Sequence, residues 1–164
     1  MNWFRIKLDD KLNKEPRYFI LQTLLAFVSL TVALTLMGIM GRKALVAALG
    51  SSLFIGFLTP NSYTARPRNM VGSHILSGGI GIGLHQLLKF FPETQATLII
   101  LSSLAVALSM FVMVVTDTEH PPAAGTALGL ATAGGWLSFL FIVASVSIIA
   151  LLKHLLDPWL ADLV

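Results

Sequence analysis

Thr116-Asp117-Thr118-Glu119-His120-Pro121-Pro122-Ala123-Ala124-Gly125-Thr126-Ala127-Leu128 is a charged, proline-broken stretch set between segments that are almost wholly apolar. Backbone inside a bilayer can be interrupted only where protein or a water-filled cavity satisfies the freed polar groups. The stretch therefore marks the chain as a helical membrane protein and itself as a candidate functional site.

Working outward, six apolar segments emerge: 18–40, 44–58, 70–91, 96–116, 122–133 and 135–156. Four reach the roughly 20 residues that cross a bilayer, and two are short. The expected fold is all-α: a polytopic bundle of four long spans plus two short or re-entrant helices. Composition agrees. Of 164 residues, 55% are hydrophobic and 12% charged, and the mean hydropathy is +0.82, whereas soluble domains carry about 25% charged residues. A chain of this length makes one compact bundle with little interior room, so a homodimer or other homo-oligomer is expected. With no cysteine there is no disulfide, thiolate ligand or thiol nucleophile.

The first 17 residues form a separate cytoplasmic segment, ahead of a membrane domain over 18–164. They hold Arg5, Lys7, Lys11, Lys14 and Arg17 beside Trp3, Phe4, Ile6, Leu8 and Leu12, the composition of either an interface-lying amphipathic helix or a solvated tail. The long apolar run that follows, without a cleavage site, is a span and not a signal peptide. Lys and Arg mark cytoplasmic loops. If all six segments cross, eight of the eleven basic residues lie inside and three, Arg42, Lys43 and Lys89, outside. Re-entrant short segments would leave both termini cytoplasmic too. A bacterial inner membrane is the expected location.

Val46–Leu53 lies over Pro121–Leu128 without gaps, matching glycine with glycine and hydroxyl with hydroxyl. Three segments repeated once in tandem must be inverted in the membrane, and broken helices in inverted repeats are how many transporters build a midplane site. The competing reading is that small residues serve close helix packing alone. A broken helix presents unpaired N–H groups and a partial positive charge, which suits a small anion. Gly50, Ser51, Ser52, Gly125 and Thr126 are the candidate ligands, though each hydroxyl could equally bond the preceding turn.

His120 and His74, with Asp117 and Glu119, are candidates for carrying a proton. Asp117 or Glu119 could instead cap the helix after them, with Pro121 and Pro122 fixing its first turn. Asn69 adds a polar group about a turn from His74. His74 and His85 share a helix face but stand ~16 Å apart and cannot share a metal. His85, near the far interface, is read as snorkelling. No metal, cofactor or nucleic-acid partner is expected.

The blocks Gly50-Ser51-Ser52 through Thr59-Pro60, Arg66 to His74, and His120 to Ala127 resemble the HPP family of integral membrane proteins over roughly residues 17–156. The resemblance implies four transmembrane helices and nitrite transport. Gly50-Ser51-Ser52 and Gly72-Ser73-His74 depart mildly from the family's usual turns, keeping small residues. The expected function is a small-anion transporter, most simply for nitrite, with Arg66 and Arg68 contributing positive potential or anchoring topology. The alternatives are a non-transporting partner subunit and a membrane-embedded enzyme; sparse polar residues argue against the enzyme.

Overall fold

The computed structural model describes residues 15–37 and 43–163, and among these there are six α-helices and no strand. They are α1 (Pro16–Met37), α2 (Lys43–Leu58), α3 (Pro67–Leu88), α4 (Gln95–Val115), α5 (Pro122–Ala133) and α6 (Trp136–Leu156). Their ends fall within three residues of the apolar segments wherever both lie in the described chain. Most of the amphipathic N-terminal segment lies outside the described residues. Arg17 already belongs to α1.

Helix lengths alternate long, short, long in each half. α1 and α3 have 22 residues and α4 and α6 have 21, against 16 in α2 and 12 in α5. Among the described residues, α4 and the stretch Trp136–Trp159 are also apolar enough by composition to cross a membrane. α3 is as long but carries Arg68, Asn69, Ser73, His74, Ser77, His85, Gln86 and five glycines, which lowers its hydropathy. The four long helices and the two short ones match the expected long and short segments in order and length.

A stripe at four-residue spacing on α2, Leu45, Leu49, Leu53 and Phe57, is fully or almost fully buried. It packs with Met70 of α3, Leu130 of α5 and Ile142, Val146 and Ile149 of α6. The opposite faces of the bundle are apolar as well: Ile99, Ile100, Phe111, Leu137, Leu140 and Leu151 are all exposed. A water-soluble protein does not leave so much apolar surface uncovered. In lipid it costs nothing, and helix association rests on close packing rather than on the hydrophobic effect.

That close packing is carried by small residues. Gly125 of α5 sits against Ala48 of α2, and Gly129 against Ala44 and Leu45, so these two helices run in opposite directions. Gly81 of α3 meets the α5 backbone at Ala127. Ser77 of α3 bonds Ser109 of α4. α5 ends at Gly134 and Gly135, whose φ of 60° and 98° suit glycine. This two-residue link lets the chain reverse at once into α6. His85 is not snorkelling: its Nδ1–H donates to the Ala131 carbonyl at 3.0 Å and ties the end of α3 to the end of α5.

One end of the bundle is bound together more elaborately. Gln22 of α1 donates from Nε2 to the Phe57 carbonyl at 2.7 Å and to the Ala161 carbonyl at 2.9 Å. Leu163 N–H donates to the Leu58 carbonyl at 2.9 Å. Arg66, Arg68 and Lys153 belong to this end, and Lys153 pairs with Asp157 at 2.8 Å.

Candidate functional site

Gly50, Ser51 and Ser52 lie inside α2, which runs unbroken from Lys43 to Leu58. The expected helix break is absent here because Ser51 and Ser52 can return their hydroxyls to the carbonyls of Ala47 and Ala48, each at 3.0 Å. The crossing with α5 is made by Ala44, Leu45 and Ala48, whereas a Cβ at Gly50 would meet no atom within 4 Å. At the start of α5 the expected free donors are missing too. Pro121 and Pro122 have no N–H, and the next two, Ala123 and Ala124, donate to the carbonyls of His120 and Pro121 at 2.9 and 3.1 Å. A site built on exposed helix N-termini is therefore corrected at both places.

The acidic residues are not caps. The α5 cap position is Pro121, with no side-chain hydrogen bond. Asp117 is exposed, takes a positive φ of 56°, pairs with Arg68 at 3.5 Å and accepts from the Tyr63 hydroxyl at 2.6 Å. That bond holds the Tyr63 phenol above its ordinary pKa. Arg68 also donates to the Thr116 carbonyl, and Arg66 stacks on the Tyr63 ring at 4.8 Å. Glu119 is half-buried, and its Oε2 is buried with no hydrogen-bond partner among the described residues. Asn69 is buried and holds two loops together, donating to the carbonyls of Tyr63 and Glu119 at 3.2 and 3.4 Å.

Four of the candidate residues converge. Ser52, His74, His120 and Thr126 are each completely buried, and they come from α2, α3, the loop before α5, and α5. Ser52 Oγ lies 3.0 Å from His74 Nε2 and 2.9 Å from His120 Nε2. His74 Nδ1 lies 2.7 Å from Thr126 Oγ1, and His120 Nδ1 donates to the Thr64 carbonyl at 2.8 Å. The two imidazole centres are 5.4 Å apart. Pro121 and Pro122 fix the chain direction just after His120, so the ring is delivered inward to meet Ser52. Thr64 is the member that sequence reasoning missed, because it contributes a backbone oxygen and any residue type supplies one.

Gly50, Ser51 and Gly125 fall elsewhere. With Pro121, Pro122, Phe54 and other α2 residues they line a groove of about 840 Å³, open along the outer seam between α2 and α5. The seam is mostly apolar and backs onto the buried cluster, with Ser52 on the inner face of α2 and Ser51 on the outer.

A lipid-facing helical bundle enclosing two fully buried histidines bridged by Ser52 defines a membrane protein with a buried polar site. A family model for the HPP transmembrane region matches residues 12–157, and the chain belongs to that family. It is similar to two proteins of Dictyostelium discoideum described as transmembrane proteins. One is 33% identical over 102 residues, covering 61% of this chain and 35% of that protein. The other is 33% identical over 117 residues, covering 68% and 37%. The chain thus spans about a third of the length of these curated relatives. No solved structure matches it.

Proposed function

We propose that this protein carries a small anion of the nitrite class across a bacterial inner membrane, with the Ser52–His74–His120–Thr126 cluster as its proton-linked element. The observation that supports this most is the cluster itself. Buried, bonded, ionisable side chains are costly within a membrane and mark pathways and relays far more often than packing. Bringing an anion into a cell against an inside-negative potential costs ~2.3 kcal/mol per charge per 100 mV, and one accompanying proton cancels that charge.

The proposed arrangement has six crossings with the termini, Arg66, Arg68 and Lys153 on the cytoplasmic side, as the distribution of basic residues favours. The halves α1–α3 and α4–α6 are proposed to be inverted repeats. The opposed directions of α2 and α5, their shared brevity, and the correspondence of Gly50 with Gly125 support this. Because the interior is small, a homo-oligomer is the proposed working form.

Flux of nitrite, nitrate and formate into proteoliposomes, with and without an inward proton gradient, tests the reading. Saturable nitrite entry that His120→Ala abolishes in a folded variant is expected. No flux above empty vesicles for any anion would overturn transport and favour a packing subunit.

A further inference from the structure

We infer that Ser52 is a hydroxyl switch that lets His74 and His120 bind one proton between them, with no heavy atom having to move. The inference deepens the transport reading and rests on it for purpose, while its chemistry stands on the hydrogen bonds alone.

Neutral imidazole has one donor and one acceptor nitrogen, and a carbonyl can only accept. The Thr64 carbonyl faces His120 Nδ1 at 2.8 Å, so in the neutral site that nitrogen carries the proton. His120 Nε2 must then accept, and the hydroxyl of Ser52 at 2.9 Å is the donor that reaches it. With its proton given to His120, Ser52 Oγ accepts from His74 Nε2–H at 3.0 Å. His74 Nδ1 is then the acceptor and takes the Thr126 hydroxyl proton at 2.7 Å. Every ring nitrogen is satisfied, and the chain points one way: Thr126 to His74 to Ser52 to His120 to Thr64.

The same atoms satisfy the site when one proton is added. The Ala48 carbonyl lies 3.0 Å from Ser52 Oγ. If Ser52 turns its proton to Ala48, its oxygen can accept from both Nε2–H groups at once. His120 is then an imidazolium donating to Ser52 and to Thr64, while His74 stays neutral and unchanged. Hydronium supplies the proton: one of its O–H bonds breaks to leave water, and an N–H bond forms at His120 Nε2 as the Ser52 hydroxyl turns to Ala48. No electrons are transferred, and His74 keeps its Nε2–H throughout. Loss of the His120 Nε2 proton to water, with Ser52 turning back, restores the neutral site.

A second proton finds no comparable arrangement. It would force Thr126 to accept from His74 Nδ1 and would set two cations with ring centres 5.4 Å apart. Of the elements packed around the pair, α4 and α5 contain no ionisable residue, and α2 has only Lys43 at its far start. The charged groups of α6 are Lys153 and His154 in its last turn, followed by Asp157, which pairs with Lys153. The remaining ones are Tyr63 and Arg66 before α3, Arg68 in its first turn and His85 in its last, and Asp117 and Glu119 beside His120. Glu119, with its partnerless Oε2, is the carboxylate adjacent in sequence to the ring that takes the charge.

Solid-state NMR of ¹⁵N-histidine-labelled protein in bilayers reads these states directly, with His74→Gln and His120→Gln variants assigning the signals. At high pH, His74 should appear as the Nε2–H tautomer and His120 as the Nδ1–H tautomer. On acidification, one imidazolium should form, on His120, while His74 remains neutral. In Ser52→Ala the two rings should lose this fixed tautomer pair, and Ser52→Thr should restore it. Neutral His120 found as Nε2–H, or both rings charging together, would overturn the inference. The expected NMR pattern in protein that shows no anion flux would keep the proton site and defeat the transport reading. Proton-driven flux with the opposite tautomers would do the reverse.

Discussion

Replacing Gly81 with alanine adds one methyl group where α3 lies directly against the α5 backbone. A Cβ there would lie 2.6 Å from the Ala127 carbonyl oxygen, 3.0 Å from Leu130 Cβ and 3.1 Å from Ala127 Cα. Two of these are backbone atoms that cannot swing aside. Ordinary contact begins near 3.4 Å, so relief from 2.6 Å requires the helices to part by about 0.8 Å. Overpacking of this kind costs ~1–3 kcal/mol. Alanine also gains up to ~1 kcal/mol of helix propensity over glycine, which would mask part of the loss. Gly79 and Gly83 supply the control, since they sit on the same helix with no atom within 4 Å of their Cβ positions. G79A and G83A take the propensity gain without the clash. The difference between G81A and G79A is therefore expected to be the full ~1–3 kcal/mol, read from reversible unfolding by SDS in mixed micelles. The damage should also travel. Thr126 is next to Ala127, and a parting of 0.8 Å carried rigidly to the 2.7 Å contact of His74 with Thr126 would stretch it to the limit of a hydrogen bond. G81A equal to or more stable than G79A would refute the reasoning.

Three further outcomes are expected. Gln22→Leu removes both bonds that hold the C-terminal tail and the end of α2 to α1, a loss of ~1–3 kcal/mol at about 1 kcal/mol per bond; hydrogen exchange at the Leu163 amide should accelerate, and unchanged exchange would contradict the clasp. Asp117→Asn should lower the Tyr63 pKa toward its ordinary value, because the carboxylate stabilises the protonated phenol. A pH titration of phenolate absorbance, with Tyr63→Phe to separate Tyr18, checks this. The exposed Arg68–Asp117 pair should contribute less than ~1 kcal/mol to stability.

The positions of the helices were legible in the sequence because lipid demands continuous apolar runs, and the loops that break them carry Pro, Arg and acidic residues. Ser52, His74, His120 and Thr126 were legible as polar residues in such runs. Their assembly was not, since it depends on how four separate elements face one another. Gly50–Ser52 reads as a break because glycine and serine mark interrupted helices, yet Gly50 faces open space in an unbroken helix and the tight crossing is made by Ala44, Ala48, Gly125 and Gly129. Asp117 looked like a cap because a carboxylate shortly before a helix often is one. Its left-handed backbone instead turns it outward to Arg68 and Tyr63. The role of Thr64 had no side-chain signature to read.

The brevity of α5 has a consequence for the surrounding lipid. Twelve residues rise ~18 Å and the sixteen of α2 ~24 Å, against a hydrocarbon thickness of about 30 Å. Where these two helices form the outer seam, the protein presents a wall thinner than the bilayer beside it. In the proposed arrangement of six crossings, acyl chains shorten or tilt there, forming a dimple over the α2–α5 groove. The membrane itself thus becomes a determinant of how far the buried histidines stand from water. Bilayers of longer acyl chains should press on that seam hardest.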